Sequence, residues 1–139
     1  LGSSLPGSKL GMEGGTIIIQ GEVHDFLGLN MRRGTIFVNK DAGDYCCNNM
    51  IAGTVILNKG YGKNLAEGMK RGTIMMKVIK FSKENFFENG KFYSPFLELL
   101  RNYLKKEYGI RIFNKKKNLI RYLGDIKTSG KGELIVFKD

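Results

Sequence analysis

The stretch Met31-Arg32-Arg33-Gly34-Thr35-Ile36 contains the pattern that decides the fold of this chain. Methionine, two variable residues, glycine, threonine and then isoleucine or valine occur four times, at a constant spacing of nineteen residues. The repeated methionines and glycines are Met12, Met31, Met50, Met69, Gly15, Gly34, Gly53 and Gly72. Four copies without an insertion indicate a repeat array, in which every unit builds the same local structure.

Each unit is too short for a helical repeat, because those need roughly 33 residues or more. In the unit that starts at Met31, the apolar run from Thr35 to Val38 is followed by turn-forming residues as far as Asp44. A short β-branched and aromatic run between turn signals predicts a strand. The unit also lacks the Leu-x-x-Leu-x-Leu pattern of leucine-rich repeats. We therefore predict a mainly β fold, a solenoid of about four nineteen-residue coils with strands ~4.8 Å apart.

Side chains alternate between the two faces of a strand, so each coil has an inward and an outward set. The methionines and the residues at the position of Ile17 are expected to point inward, and the glycines to supply positive φ at the corners. The outward set contains Ile18, Phe37, Ile56 and Met75. An apolar patch of this kind must be covered. It predicts a face that packs against a helix of the chain or against a partner.

The region after residue 80 has a different pattern. Ser94-Pro95 is typical of a helix start, and Gly109 of a helix end. The side chains expected on the apolar side of this helix are Phe96, Leu99, Leu100, Tyr103 and Leu104. About 13 residues give a helix of roughly 20 Å, long enough to lie across the outward set. We divide the chain into a β-helix repeat domain, residues 1–80, and an α+β cap of a helix and short strands, residues 81–139.

Three short strands are predicted within the cap. Residues 110–113 and 119–123 are expected to pair as a hairpin around the polar segment 114–118, and residues 134–137 to form a last strand. No comparable cap precedes the first coil. We expect that edge to be truncated, continued by more coils or covered by a partner. The partner could be a second copy of the chain, in a homo-oligomer that forms through the uncapped N-terminal coil.

The 139-residue chain has a formal net charge of +10 and is 42% hydrophobic, which suits one soluble domain or repeat array. A basic protein can bind nucleic acid, an anionic cofactor or an acidic partner. Aromatic-plus-basic stacking motifs are absent, which argues against nucleic acid. The one dense cationic run, Lys115, Lys116 and Lys117, is a candidate basic contact.

The remaining composition predicts a reduced, cytoplasmic protein without a membrane partner. No apolar run approaches the roughly 18 residues of a membrane span, and no signal peptide is visible. Cys46 and Cys47 are adjacent, which disfavours a disulfide between them, and one pair of thiols is too small for a zinc site.

No catalytic constellation is apparent in the sequence. His24 is the only histidine and is interpreted as a corner residue, and Asp25, Asp41 and Asp44 as turn formers. The Gly-x-Gly at Gly60 lacks the strand–helix context of a dinucleotide site. We therefore expect no catalytic, cofactor-binding or metal-binding residues on this chain.

The repeats resemble those of a known family. Asp41-Ala42-Gly43-Asp44-Tyr45, followed by Met50, Gly53 and Val55, resembles the Gly-x-x-Gly-x-x-x-Gly β-helix repeats of two protein groups. One is the C-terminal domain of glutamate synthase. The other is the β-helix subunit of formylmethanofuran dehydrogenase, with its bacterial relative in the formyltransferase/hydrolase complex. The tail, Tyr122-Leu123-Gly124-Asp125 and Gly130-Lys131-Gly132-Glu133-Leu134, resembles the end of that β-helix subunit.

The resemblance implies a right-handed, single-stranded β-helix and membership of an oxidoreductase complex in one-carbon metabolism. That complex reduces CO2 and transfers the formyl group to methanofuran in methanogenesis. Its catalysis belongs to a molybdopterin or tungstopterin subunit and a zinc amidohydrolase-like subunit, and iron–sulfur clusters are expected in the partner subunits too. The β-helix subunit is structural, so the resemblance carries over no catalytic residue and no bound cofactor.

This sequence departs from the family pattern at three corners, because Lys40, Cys47 and Ala66 stand where the family often has glycine. It also has about half the length expected of the family's β-helix subunit, which suggests a short paralogue or a C-terminal fragment. Two other functions stay open. One is a stand-alone glutamate-synthase-type domain that braces amidotransferase and flavin domains, and the other an independent adaptor that binds partners through its basic cap.

Overall fold

Four parallel strands at the repeat spacing form the solenoid. The computed structural model describes residues 11–113, 119–128 and 130–137. The repeat strands are β1 (Glu13–Ile19), β2 (Arg33–Val38), β3 (Thr54–Leu57) and β4 (Thr73–Met76). They are followed by β5 (Phe87–Lys91), α1 (Pro95–Tyr108), β6 (Leu119–Gly124) and β7 (Gly132–Phe137). All seven strands belong to one sheet, in the order β1-β2-β3-β4-β7-β6-β5.

The register of the sheet follows the sequence repeat. Thr16 is paired with Thr35, Thr35 with Thr54, and Thr54 with Thr73, and the three pairings are parallel. Each residue therefore lies beside the residue nineteen positions later. This arrangement confirms the predicted β-solenoid.

The repeated glycines and methionines contact each other between coils. A Cβ atom added to Gly53 would lie 2.8 Å from Cε of Met31, and one added to Gly72 would lie 2.9 Å from Cε of Met50. The methionine of one coil thus occupies the space that the next coil leaves by lacking a side chain. The repeated glycines also have positive φ, which other residues adopt only with strain; these angles are +80° at Gly15, +99° at Gly34, +105° at Gly53 and +113° at Gly72.

The inward set fills the interior of the solenoid. Met31, Met50 and Met69 are fully buried, and Met12 of the first coil is partly buried against the same cluster. The inward strand residues pack between them; those that are fully buried are Ile36, Val38, Val55, Leu57, Ile74 and Met76. The same cluster also contains side chains from the cap, among them Phe81, Phe86 and Tyr122.

Positive φ also occurs at corners that lack glycine. Cys47 and Ala66 have φ of 58° and 57°, and they follow Gly28 at the same place in the repeat. A Cβ on Gly28 would lie 3.6 Å from Sγ of Cys47, which is an ordinary contact. The side chains at this corner therefore stack without a clash, and the left-handed geometry persists where the family often has glycine.

The outward set lies beneath α1. Phe37, Ile56 and Met75 form one buried cluster with helix residues that include Leu97 and Leu100, and Ile18 packs partly against it. The helix begins at Pro95 and ends at Tyr108, and Gly109 caps it with a φ of +68°. The N–H of Gly109 donates to the carbonyl of Lys105, and the N–H of Ile110 donates to the carbonyl of Leu104. The predicted helix is confirmed.

The predicted apolar side of the helix is wrong in part. Leu100 and Leu104 are buried as expected, but the third buried residue is Leu97, which the prediction did not include. Phe96, Leu99 and Tyr103 are 49%, 68% and 43% exposed. The apolar arc of α1 is wider than the sheet can cover, so one edge of the arc faces outward.

The strands of the cap extend the sheet of the solenoid. β7 is parallel to β4, with Thr73 opposite Glu133 and Ile74 opposite Leu134. A Cβ on Gly132 would lie 2.5 Å from Sδ of Met69, so Gly132 takes the place of a repeat glycine. The predicted last strand is confirmed, and it forms a fifth rung of the array.

The predicted hairpin between residues 110–113 and 119–123 is wrong. β6 is antiparallel to β7 on one side and to β5 on the other, so neither of its edges is free for residues 110–113. Ile110, Ile112 and Phe113 are instead buried in the cluster beneath α1. The segment 114–118, with Lys115, Lys116 and Lys117, lies outside the described residues.

The steric and backbone costs at the glycine corner can be separated with three valine variants. Gly14 has ordinary φ and open space, Gly15 has positive φ and open space, and Gly53 has positive φ and close neighbours. We expect Gly53→Val to lower the free energy of unfolding by at least about 1 kcal/mol, Gly15→Val by less, and Gly14→Val least. Urea unfolding measures all three. Equal stability of the Gly53 and Gly14 variants would contradict the corner assignment.

The burial of the outward set beneath α1 can be tested at Phe37, whose side chain is 2% exposed. Phe37→Asp should cost at least about 3 kcal/mol, because it leaves a cavity and buries a carboxylate. Leu99→Asp is the matched control, since Leu99 is mostly exposed and a surface substitution changes stability by about 0.5 kcal/mol or less. Thermal unfolding compares the two variants. A Phe37→Asp protein as stable as the control would show that α1 does not bury this position.

Candidate functional site

The thiols of the chain are core groups. Cys46 and Cys47 are buried and free, and Sγ of Cys46 lies 3.2 Å from the carbonyl oxygen of Gly43. Burial, with a smaller contribution from the carboxylate of Asp25, raises the pKa of Cys46 to about 12. Burial also raises the pKa of Cys47 well above its ordinary value. Nucleophilic and metal-binding cysteines act as thiolates, so neither thiol suits that chemistry.

The acidic residues at the corners accept hydrogen bonds between coils. The backbone N–H of Asp44 donates to Oδ1 of Asp25 over 2.8 Å, and that of Lys63 donates to Oδ1 of Asp44 over 2.9 Å. Asp41 forms an ion pair with Lys59 at 3.2 Å. His24 is exposed at the same corner. The residues described include no group of three or more histidine, cysteine or acidic side chains that could hold a metal ion.

The tail motif that carries the family resemblance attaches the cap to the solenoid. Asp125 is 2% exposed, and its carboxylate accepts hydrogen bonds from the backbone N–H groups of Gly68 and Lys127, at 3.0 and 2.9 Å. The hydroxyl of Thr128 donates to the carbonyl of Met69 over 2.7 Å. The sequence prediction did not assign a role to these residues. Their contacts with the corner at residues 68–69 give the motif a structural purpose.

A basic pocket lies beside the C-terminal half of α1. It has a volume of about 190 Å³ and is lined by Arg101, Asn102, Lys105, Arg111 and Phe113. The guanidinium of Arg101 lies 5.8 Å from the centre of the Phe113 ring, close enough for a cation–π contact. Three cationic side chains around one cavity favour an anionic group. The sequence placed its basic contact at residues 115–117 and missed this pocket, because its members come from two segments.

Large apolar side chains are exposed mainly around the same helix. The described residues include nine that are at least about one-third exposed, and five of these lie in residues 93–108. These five are Tyr93, Phe96, Leu99, Tyr103 and Tyr108. Concentration on one element marks an interaction surface, whereas scattered exposure needs no explanation. The surface of α1 is therefore the strongest candidate for function in the described part of the chain.

The β1 edge of the sheet presents a second candidate surface. β1 is an outer strand, and its residues Ile17, Ile18 and Ile19 are only partly buried, whereas their equivalents in β3 are fully buried. No helix in the described part of the chain is both long and apolar enough to cross a bilayer.

Comparison with known proteins supports the family resemblance. No protein-family model and no curated protein matches the chain. The chain is similar to a chain in the X-ray crystal structure of the formyltransferase/hydrolase complex (FhcABCD) from Methylorubrum extorquens in complex with methylofuran. The two are 35% identical with a TM-score of 0.88, and the match covers all of this chain. It covers 52% of the other chain, so this chain spans about half the length of its relative. The match confirms the fold and the resemblance.

Because the Cys46 thiol is buried, the free energy of unfolding at alkaline pH tests whether folding keeps this thiol protonated. The pKa of Cys46 rises from an ordinary 9.0 to about 12 on folding, so only the unfolded state loses this proton between those values. The stabilising contribution is complete below pH 9 and is lost as the pH rises towards 12. We expect the free energy of unfolding to fall less steeply in Cys46→Ala than in the parent protein over this range. Equal slopes in urea unfolding would show that the thiol ionises alike in both states.

Proposed function

We propose that this chain, which resembles the β-helix subunit of formylmethanofuran dehydrogenase and formyltransferase/hydrolase complexes, is a structural subunit of such a complex. The observation that carries the proposal is the match over the whole chain, at 35% identity, to a chain of the FhcABCD complex. At that identity the likeness extends beyond the fold. No comparable observation favours the glutamate-synthase-type domain or the independent adaptor.

The use of the side chains supports a structural role. The repeated methionines fill the core, the outward set packs beneath α1, and the corner carboxylates hold neighbouring coils together. These residues have their partners inside the chain and are therefore not directed at a substrate. What the chain presents to its surroundings is the apolar and basic surface of α1.

The chemistry of the complex would then belong to other subunits. We assign molybdopterin or tungstopterin, zinc and iron–sulfur clusters to those partners, and none of them to this chain. The pathway would be one-carbon metabolism, with CO2 reduction and formyl transfer to methanofuran as in methanogenesis, in the cytoplasm. The outer edge of β1 is a second place for contact, with further coils, a partner or a second copy of the chain.

Purification of the tagged chain from its native organism tests this proposal. We expect a molybdopterin-type subunit and an amidohydrolase-like subunit to co-purify in stoichiometric amounts, with molybdenum or tungsten, zinc and iron detected by elemental analysis. A flavin subunit together with a glutaminase would support the glutamate-synthase alternative. A chain that purifies without a stable partner would contradict both assignments and leave the adaptor.

A further inference from the structure

The first coil lacks a contact that the repeat glycines of the later coils make. Each later glycine lies against the methionine of the coil before it, within 3 Å of the place where a Cβ would be. The pairs are Gly34 with Met12, Gly53 with Met31, Gly72 with Met50 and Gly132 with Met69. Gly15 has the same positive φ, but no described atom lies within 4 Å of a Cβ added to it. We call this open space at Gly15 the edge socket.

The strand beside the edge socket has apolar side chains that are covered on one side only. Ile17, Ile18 and Ile19 are partly buried, whereas their equivalents in β2, which has a coil on each side, are buried. As an outer strand, β1 also has backbone N–H and C=O groups that can pair with one more strand. A further parallel strand at the usual spacing of about 4.8 Å would satisfy both groups of atoms.

The end of α1 adds aromatic surface next to this edge. Tyr103 and Tyr108 both lie within hydrogen-bond reach of the side chain of Thr16, which belongs to β1. The two tyrosines are 43% and 42% exposed. Tyrosine is one of the residue types that are enriched in protein interfaces. The border of β1 therefore combines an open apolar strand with exposed aromatic rings.

The first coil is acidic, although the chain as a whole is basic. Residues 11–29 include Glu13, Glu22 and Asp25 but no lysine or arginine, whereas the whole chain has a formal net charge of +10. All three carboxylates are exposed. A surface with this charge attracts cationic groups and repels anionic ones.

We propose that the β1 edge binds a strand of a different subunit, which extends the parallel sheet by one rung. A flexible apolar side chain of that strand, methionine above all, fills the edge socket as Met12 fills the space at Gly34. Lysine or arginine side chains of the same subunit face the carboxylates of the first coil. This inference rests on the proposed function and deepens it by naming the edge and the chemistry of the partner. Strand addition to an open sheet edge is an established mode of recognition.

Packing and charge both distinguish this partner from a second copy of the chain. Met12 already packs against Gly34 of its own chain, so a second copy that meets β1 edge to edge has no repeat methionine to offer. Its first coil carries the same three carboxylates, so the two edges would repel each other. A basic strand is attracted instead, and that attraction weakens as salt is added.

The test uses the remaining subunits of the complex, purified without this chain, as the binding probe. Gly15→Val fills the edge socket from the side of this chain. Gly14→Val is its matched control, because the equivalent positions of the later coils carry side chains, namely Arg33, Ala52 and Arg71. Glu22→Lys reverses a charge at the edge, and Glu67→Lys reverses an exposed charge two coils away. Circular dichroism verifies that each variant is folded at the temperature of the binding measurement.

We expect the parent chain to bind the probe, with a Kd that rises with salt concentration. Gly15→Val should raise the Kd at least about fivefold through overpacking, and Glu22→Lys should raise it and weaken its salt dependence. The two controls should change the Kd by less than about twofold. Parent-like binding by both edge variants would overturn the edge proposal and leave the proposed function intact. Failure of the parent chain to bind would overturn the proposed function and the edge proposal with it.

Two further measurements would reveal a different occupant of the edge. The first is sedimentation of the chain alone, where we expect a monomer. An oligomer that Gly15→Val dissociates, while Gly14→Val does not, would overturn the proposal in favour of a second copy. The second is amino-terminal sequencing of the polypeptide from its native organism. A native chain with a methionine nineteen residues before Met12 would overturn the proposal in favour of its own preceding coil.

Discussion

The contact between the methionine of one coil and the glycine of the next determines the rest of this structure. The methionine tip fills the volume where a Cβ of the next coil would lie, as Met31 does beneath Gly53. An insertion in any coil would bring a side chain into that volume or leave it empty. Because interiors are close-packed, both errors cost stability. The nineteen-residue spacing is therefore a packing requirement, and the parallel register follows from it.

The cap obeys the same requirement. β7 joins β4 with Gly132 against Met69, so the array gains a fifth rung from a distant part of the chain. Asp125 and Thr128 then attach the turn before β7 to the last corner. Once the sheet is extended in this way, β6 and β5 pair antiparallel and end it. The last coil is thus covered by strands of the chain, while β1 remains an outer strand.

The two faces of the sheet have different consequences for function. The inward face is filled by the side chains of the array together with cap residues such as Phe86 and Tyr122. The outward face requires α1, and α1 in turn has more apolar surface than the sheet can cover. The thiols are buried and the corner carboxylates are engaged between coils. These features together support a role in binding other subunits.

The sequence predicts what depends on local signals and on the repeat. Strand positions and register follow from the nineteen-residue period, and the helix ends follow from Ser94-Pro95 and Gly109. It does not predict β5, Phe87–Lys91, which lies at the edge of the sheet, is mostly exposed and has Phe87 as its one apolar side chain. Nor does it predict the partners of β6, because these depend on β7 joining the array across some sixty residues, from Thr73 to Glu133.

The interaction surface is the part that the sequence predicts least. Phe96, Leu99 and Tyr103 share helical spacing with the buried leucines, and only the rotation of α1 about its own axis decides which group faces the sheet. The basic pocket is assembled from the helix and the segment after it, so no single motif reveals it. Helical periodicity alone cannot distinguish an apolar residue that packs into the core from one that is exposed for contact with a partner.

A cryo-electron microscopy map of the complex assembled around this chain tests the central claim most directly, namely that the chain is a stacked scaffold whose role is to bind other subunits. We predict density from another subunit over the outer side of α1, and cofactor density only within the partners. Substrate or cofactor density held by residues of this chain alone, with α1 facing solvent, would contradict that claim.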